Sequence, residues 1–186
     1  MKMLKALSRA SIILISVLGT LFLALVVCLA MPWAISYAGE WLSPDPPTPH
    51  ITYGEFPFEL VYTIDGETVT INDVYICEYE GISIDEGQGK HVEWKGYIQS
   101  SRQEQVVLLV RDTEQIVCEI GEPEYYMGDA AYCEAFGIED VTPCLVMIEN
   151  DGEISSCHVL DDEEKKEYHI EIISWRFSKP IQNTFS

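Results

Sequence analysis

Basic residues are scarce in this sequence. Lys and Arg together number 11 in 186 residues, against 31 Asp and Glu, and the formal net charge is −20. Lys2, Lys5 and Arg9 precede all 31 acidic residues, the first of which is Glu40. The part of the chain from Glu40 onward therefore carries a formal charge of −23, which repels the phosphates of nucleic acids. We expect no nucleic-acid partner.

The sequence also lacks the short motifs of common enzymes and metal sites. It contains no Gly-x-Ser-x-Gly, no His-Glu-x-x-His and no phosphate-binding loop. It contains no Cys-x-x-Cys pair and no Asp-x-Asp-x-Asp-Gly calcium loop, and its four histidines do not have the spacing of metal ligands. We therefore expect no enzymatic activity, no cofactor and no metal site.

Charged residues are absent between Ala10 and Gly39. About 20 apolar residues at 1.5 Å each span a hydrocarbon layer of roughly 30 Å, so we expect a transmembrane helix within residues 11–41. Pro32 is expected to kink or end the regular helix. Because basic residues precede the helix and acidic residues follow it, the positive-inside rule places residues 1–10 in the cytoplasm and the C-terminal domain outside the cell.

Two other interpretations of the apolar segment stay open. A signal peptide could be cleaved after Ala38, or a lipid could be attached at Cys28. The apolar run is longer than the core of roughly 7–15 residues in signal peptides, and Val27 stands where a lipobox has a small residue. An uncleaved single-pass anchor in the cell membrane is therefore favoured.

Two patterns with a spacing of four residues lie within the helix. Small side chains recur on one face, at Ser16, Thr20, Ala24 and Cys28. Such a face lets two helices approach closely, and it predicts a homodimer whose self-association is lost when Thr20 and Ala24 are replaced by Leu. Aromatic side chains recur on one face near the outer end, at Trp33, Tyr37 and Trp41. These rings are expected to form a collar at the membrane interface.

A proline-rich linker, residues 42–50, separates the helix from an acidic domain, residues 51–186. Four prolines fall between Pro44 and Pro49, which favours an extended conformation. The domain opens with apolar residues at every second position from Phe56 to Ile64, followed by Asp65-Gly66. This pattern predicts a β-hairpin in which Tyr62 pairs with Val69 and Leu60 with Ile71.

Further strands are predicted along the domain. Val106 to Val110 is apolar on both faces, which indicates a central strand, and a second strand returns over Gln115 to Ile120. A hairpin turning at Asp151-Gly152 is expected to place Cys144 opposite Val159 and Val146 opposite Cys157. Asp161 to Lys166 is typical of a capped helix, and His169 to Phe177 of a final strand.

Seven strands and two or three short helices indicate a mainly β fold, either an antiparallel sheet or a sandwich, with an α+β arrangement as the alternative. The order Cys77, Trp94, Cys133 also leaves an immunoglobulin-like topology open.

Five cysteines follow the helix, and an odd number cannot all pair within one chain. The expected register of the second hairpin separates Cys144 from Cys157 by roughly 7–8 Å, which is too far for a disulfide. Other pairings stay open. The segment from Glu122 to Asp129 combines acids, turn residues and two tyrosines, and the side chains it offers for binding a sugar or peptide are Tyr125, Tyr126 and Asp129. The alternative is that the tyrosines cover the core.

Four segments resemble an uncharacterised family of small membrane-anchored surface proteins of Gram-positive bacteria. They are Tyr53-Gly54-Glu55-Phe56-Pro57-Phe58, Ile76-Cys77-Glu78-Tyr79-Glu80-Gly81, Glu124-Tyr125-Tyr126-Met127-Gly128-Asp129 and Ile173-Ser174-Trp175. The resemblance implies an exported, anchored protein and no particular activity. We expect an outer domain that is a non-enzymatic interaction module contacting an envelope component or another protein. A calcium- or glycan-binding sensor and an unrecognised cell-envelope hydrolase are the alternatives.

Overall fold

The computed structural model of the chain describes residues 2–85, 89–150 and 155–186. Within these ranges the chain forms four helices and eight strands. In chain order they are α1 (Lys2–Leu42), β1 (Tyr53–Ile64), β2 (Glu67–Asp85), β3 (Gly89–Ile98), β4 (Val106–Arg111), β5 (Glu114–Glu119), α2 (Pro123–Tyr126), α3 (Ala130–Phe136), β6 (Cys144–Asn150), β7 (Ser155–Val159), α4 (Asp162–Glu167) and β8 (Ile170–Phe177).

Helix α1 dominates the first of two compact units, which comprises Met1–Pro46 and Ser83–His91. Its apolar segment Leu14–Gly39 is 26 residues long, an 18-residue window of it has a mean hydropathy of 2.7, and none of that window is buried. The helix is therefore long and apolar enough to cross a membrane. It continues through Pro32 to Leu42, so the expectation that this proline ends the helix is wrong.

The β-rich second unit comprises Pro47–Ile82 and Val92–Ser186. Its strands belong to two antiparallel four-stranded sheets, in the orders β3-β2-β1-β8 and β4-β5-β6-β7. The buried residues of both sheets form one hydrophobic core, to which β1 contributes Leu60, β5 contributes Ile116 and β6 contributes Met147. The mainly β fold with short helices, preceded by an apolar helix, is confirmed.

The first hairpin has the predicted register. Tyr62 pairs with Val69 and Leu60 pairs with Ile71. Along β1 every second side chain from Phe56 to Tyr62 is buried, because one face of the strand lies on the core. Asp65 and Gly66 both have positive φ, as a two-residue hairpin turn requires.

Two strand predictions are wrong. Strand β4 lies at the edge of its sheet rather than at the centre, and Val110 is 65% exposed. In the β6–β7 hairpin Val159 pairs with Val146 rather than with Cys144, and Cys157 pairs with Ile148. The predicted turn at Asp151-Gly152 lies outside the described residues.

Three further expectations concern helix α4, the immunoglobulin-like topology and the number of strands. Helix α4 has the predicted capping box, in which Asp161 accepts hydrogen bonds from backbone N–H groups and the Glu164 side chain accepts one from the Asp161 N–H. The immunoglobulin-like interpretation is wrong, because Cys133 lies in helix α3 and is not bonded to Cys77. Eight strands, rather than seven, form within the described ranges.

The last residues of the 42–50 segment are hydrogen-bonded to the end of the chain. The Thr48 N–H donates to the Ser186 carbonyl at 3.0 Å, and the His50 N–H donates to the Thr184 carbonyl at 2.9 Å. Pro49 forms a β-bridge with Phe185. The C-terminus and the start of the β-rich unit therefore stabilise each other.

Candidate functional site

An acidic pocket of about 600 Å³ opens on the surface of the β-rich unit. Six glutamates from β2, β3, β5, α2 and the connecting segments line it, together with one lysine. They are Glu80, Glu93, Glu104, Glu119, Glu122 and Glu124, with Lys95. Its volume falls within the range of roughly 300–1,000 Å³ that is typical of small-ligand sites.

Glu124 is the only one of these glutamates that is buried. The residue is 9% exposed, and its carboxylate oxygen Oε2 has no hydrogen-bond partner among the described residues. Burial, together with the nearby carboxylates of Glu122, Asp129 and Glu93, raises the pKa of Glu124 from 4.5 to about 7. The carboxyl group is therefore shared between its neutral and charged forms at physiological pH.

The other carboxylates of the pocket have few partners. Lys95 lies 3.9 Å from Glu80, and both side chains are half exposed, so this ion pair is weak. The Gln105 amide donates a hydrogen bond to Glu119 at 3.0 Å. Within the described part of the chain, Glu93, Glu104 and Glu122 have no ion-pair partner, so the pocket presents an uncompensated negative charge.

Aromatic and glycine residues shape the wall of the pocket. Trp94 and Tyr75 line it, and Tyr75 donates a hydrogen bond to the Gly121 carbonyl at 3.4 Å. Gly96 makes room for Tyr75, because a Cβ atom at this position would lie 1.9 Å from the tyrosine hydroxyl oxygen. The close fit of these residues fixes the position of the Tyr75 ring beside the carboxylates.

The segment from Ile120 to Gly128 positions Glu124. Pro123 begins helix α2, as is common at the first turn of a helix. The buried Tyr126 hydroxyl donates to the Ile120 carbonyl at 2.7 Å and ties the two ends of the turn together. At Gly128 the backbone has positive φ and passes so close to the Ile181 carbonyl that a Cβ atom would lie 2.3 Å from its oxygen. The C-terminal segment therefore holds α2 in place.

The three binding residues predicted in this segment lie next to Glu124 in sequence but do not line the pocket. Tyr126 is 1% exposed and packs in the core against Phe56 and Tyr75. Asp129 is buried, where it caps helix α3 by accepting the Tyr132 N–H. Tyr125 is half-buried, and its hydroxyl lies 3.5 Å from Asp140.

Helix α1 carries the two other predicted sets of residues. The small side chains of Ser16, Thr20, Ala24 and Cys28 are all exposed, and the Thr20 hydroxyl donates to the Ser16 carbonyl at 2.9 Å. The rings of Trp33, Tyr37 and Trp41 are each more than 60% exposed. Exposure of these apolar surfaces is what a helix in contact with lipid requires.

All six cysteines are free thiols. The observed register places Cys157 opposite Ile148, four residues from Cys144, or about 13 Å along the strand. A bridge between Cys144 and Cys157 is therefore excluded for a stronger reason than the predicted register gave. No group of three His, Cys, Asp or Glu side chains that could hold a metal ion occurs in the ranges the structure describes.

The sequence did not identify the pocket. Its acids are spread from Glu80 to Glu124 among 31 Asp and Glu, and strand pairing brings them together. The signal available in the sequence was Glu122-Pro123-Glu124, two carboxylates around a proline at the start of a helix.

Comparison with known proteins gives no relative. No family model, no curated protein and no solved structure matches the chain.

Proposed function

We propose that the chain is a single-pass protein of the bacterial cell membrane whose β-rich domain faces outward and binds a ligand without catalysing a reaction. The acidic pocket is the binding site in this proposal. The observation that carries it is Glu124, a buried residue in the pocket wall whose carboxylate oxygen Oε2 lacks a hydrogen-bond partner among the described residues. A buried group of this kind costs free energy, and a ligand that pairs with it recovers that free energy.

The anchoring part of the proposal rests on helix α1. Its apolar segment matches the thickness of a membrane, and three basic residues precede it. We place the N-terminus in the cytoplasm, the rings of Trp33, Tyr37 and Trp41 at the outer interface, and a helix pair along the face that carries Thr20 and Ala24. Membership of a Gram-positive family of anchored surface proteins accords with this arrangement and rests on the four sequence segments alone.

A melting experiment on the full chain in maltoside micelles tests the binding function. The additives are cell-wall fragments, calcium chloride, EDTA, spermidine and tetralysine, each measured with wild type and two double variants. The pocket variant is Glu93→Gln with Glu122→Gln. The surface control, Glu67→Gln with Glu139→Gln, removes the same charge from exposed positions outside the pocket.

We expect at least one additive to raise the melting temperature of wild type and the surface control by several degrees, because a ligand that binds only the folded state stabilises it. The shift should be smaller in the pocket variant. A shift of equal size in the pocket variant would place binding elsewhere, and no shift with any additive would contradict the proposal.

A further inference from the structure

We propose that the ligand of the acidic pocket is an organic polycation, a molecule that carries two or more ammonium groups, and that Glu124 is the buried counter-ion for one of them. This inference rests on the proposed function of the pocket as a binding site. Polyamines and lysine-rich peptides share the required chemistry, and they are treated as two sources of the same group.

The net charge of the pocket favours a ligand with several positive charges. The pocket lining includes six carboxylates and the single ammonium group of Lys95, which already lies beside Glu80. A ligand with one positive charge would leave most of this negative charge uncompensated, whereas several ammonium groups can each pair with a carboxylate. Elsewhere on the domain, Arg111 and Arg176 pair with acids outside the pocket, so they do not compete for these carboxylates.

The arrangement of the carboxylates favours an organic cation over a calcium ion. A calcium ion needs several oxygens converging at about 2.3–2.6 Å, and no cluster of three potential metal-ligating side chains occurs in the described ranges. The pocket carboxylates instead lie on three strands, on helix α2 and in the connecting segments. An elongated cation places its charges several bonds apart and can pair with more than one of them.

Glu124 and the aromatic wall of the pocket favour an organic ammonium group over an inorganic cation. Glu124 lines the acidic pocket as a buried residue, and a donor that reaches its unpartnered oxygen Oε2 replaces the solvation which that oxygen has lost. The rings of Trp94 and Tyr75 line the same pocket, and aromatic rings suit the methylene chain and the charge of an organic ammonium group. An inorganic cation gains less from such a wall.

Calorimetric titration of the full chain in maltoside micelles tests the inference. The probes are spermidine, tetralysine, tetralysine with acetylated side chains, and calcium chloride. We expect spermidine or tetralysine to bind and the acetylated peptide not to bind, since acetylation removes the ammonium charges. Binding of spermidine alone identifies a polyamine site, and binding of tetralysine alone identifies a peptide site.

The same titrations with variants locate the binding. We expect the pocket variant (Glu93→Gln with Glu122→Gln) to lose roughly fivefold to tenfold in affinity, and the surface control (Glu67→Gln with Glu139→Gln) to stay within about twofold of wild type. Equal losses in the two variants would show that only the overall charge attracts the probe, and would overturn the inference.

The melting and titration results together distinguish a wrong ligand class from a wrong binding function. If cell-wall fragments or calcium raise the melting temperature through the pocket while neither polycation binds, the inference is wrong and the binding function stands. If neither the polycations nor any other additive acts on the protein, both are wrong.

Discussion

The Tyr126 hydroxyl is one of the few polar groups inside the core. It donates to the Ile120 carbonyl at 2.7 Å, and its ring contacts Phe56, Tyr75 and Phe177. Replacement by Phe keeps the ring contacts and leaves a buried carbonyl unsatisfied, so we expect Tyr126→Phe to lower the free energy of unfolding by about 1–2 kcal/mol. Urea unfolding of the full chain in micelles, followed by circular dichroism, measures this change.

Tyr125→Phe is the matched control for that prediction. The Tyr125 hydroxyl lies at the exposed edge of the domain, 3.5 Å from Asp140, and its removal should cost less than about 0.5 kcal/mol. Equal effects of the two substitutions would show that the buried hydrogen bond contributes nothing specific.

The raised pKa of Glu124 predicts that the free energy of unfolding depends on pH. Its pKa is raised from 4.5 to about 7 in the folded protein, so the folded state holds this proton more tightly than the unfolded state. Its contribution to stability is therefore full below about pH 4.5 and is lost as the pH rises through about 7. The ionisable groups that interact with it are Glu93, Glu122, Asp129, Cys77, Cys133, Tyr75 and Tyr132.

Glu124→Gln imitates the protonated form at every pH. We expect the variant to match wild type near pH 4.5 and to exceed it by roughly 2–3 kcal/mol at pH 8, measured by urea unfolding in micelles. Glu67→Gln, which changes an exposed carboxylate, should show no such trend. A constant difference between Glu124→Gln and wild type from pH 4.5 to pH 8 would contradict the raised pKa.

At the scale of elements, strands β2 and β3 depend on the fit between Tyr75 and Gly96. A Cβ atom at residue 96 would lie 1.9 Å from the Tyr75 hydroxyl oxygen and 2.4 Å from the ring carbon that bears it. We expect Gly96→Ala to displace the ring and lower the free energy of unfolding by about 1–3 kcal/mol.

A double-mutant cycle tests the cause of that loss. Tyr75→Leu removes the ring, so adding Gly96→Ala to it should cost less than Gly96→Ala costs alone. Urea unfolding of wild type, the two single variants and the double variant gives the coupling. If the two losses simply add, the contact between residues 75 and 96 is not the reason.

Local signals predicted some elements and missed others. The β1–β2 register followed from Asp65-Gly66 and the alternation around it, because a two-residue turn fixes every pair along the hairpin. The β6–β7 register was wrong by two residues, because Asn150 pairs with Ser155, whereas a two-residue turn at Asp151-Gly152 would pair it with Glu153. The apolar stretch Val106 to Val110 suggested a central strand, although β4 is an edge strand.

The acidic pocket could not be predicted from the sequence, because local signals do not show which strands pair. Its carboxylates come from β2, β3, β5, α2 and the connecting segments, and only the pairing of whole strands brings them to one place. The composition of the segment from Glu122 to Asp129 did indicate a binding site. Tyr126 and Met127 belong to the core and Tyr125 packs against it, and the pocket takes only the first three residues of the segment.

At the scale of the whole molecule, the distribution of charge is the main physical feature. Lys2, Lys5 and Arg9 lie in helix α1 before its apolar segment, and all 31 acidic residues follow that segment. A domain with this charge attracts cations and repels anionic surfaces, which matches the ligand proposed for the pocket.

Thiol labelling in intact Gram-positive cells tests the outward placement of the domain most directly. Cys157 is exposed, whereas Cys77 and Cys118 are buried and Cys28 lies within the apolar helix. After mild reduction, a membrane-impermeant maleimide should label the full-length 21.1 kDa chain, and Cys157→Ser should remove most of the signal. A cysteine introduced by Ala6→Cys into the Cys157→Ser variant should react only after the cells are opened. Labelling of wild type that appears only after cell disruption, together with labelling of Ala6→Cys in intact cells, would contradict an outward-facing domain.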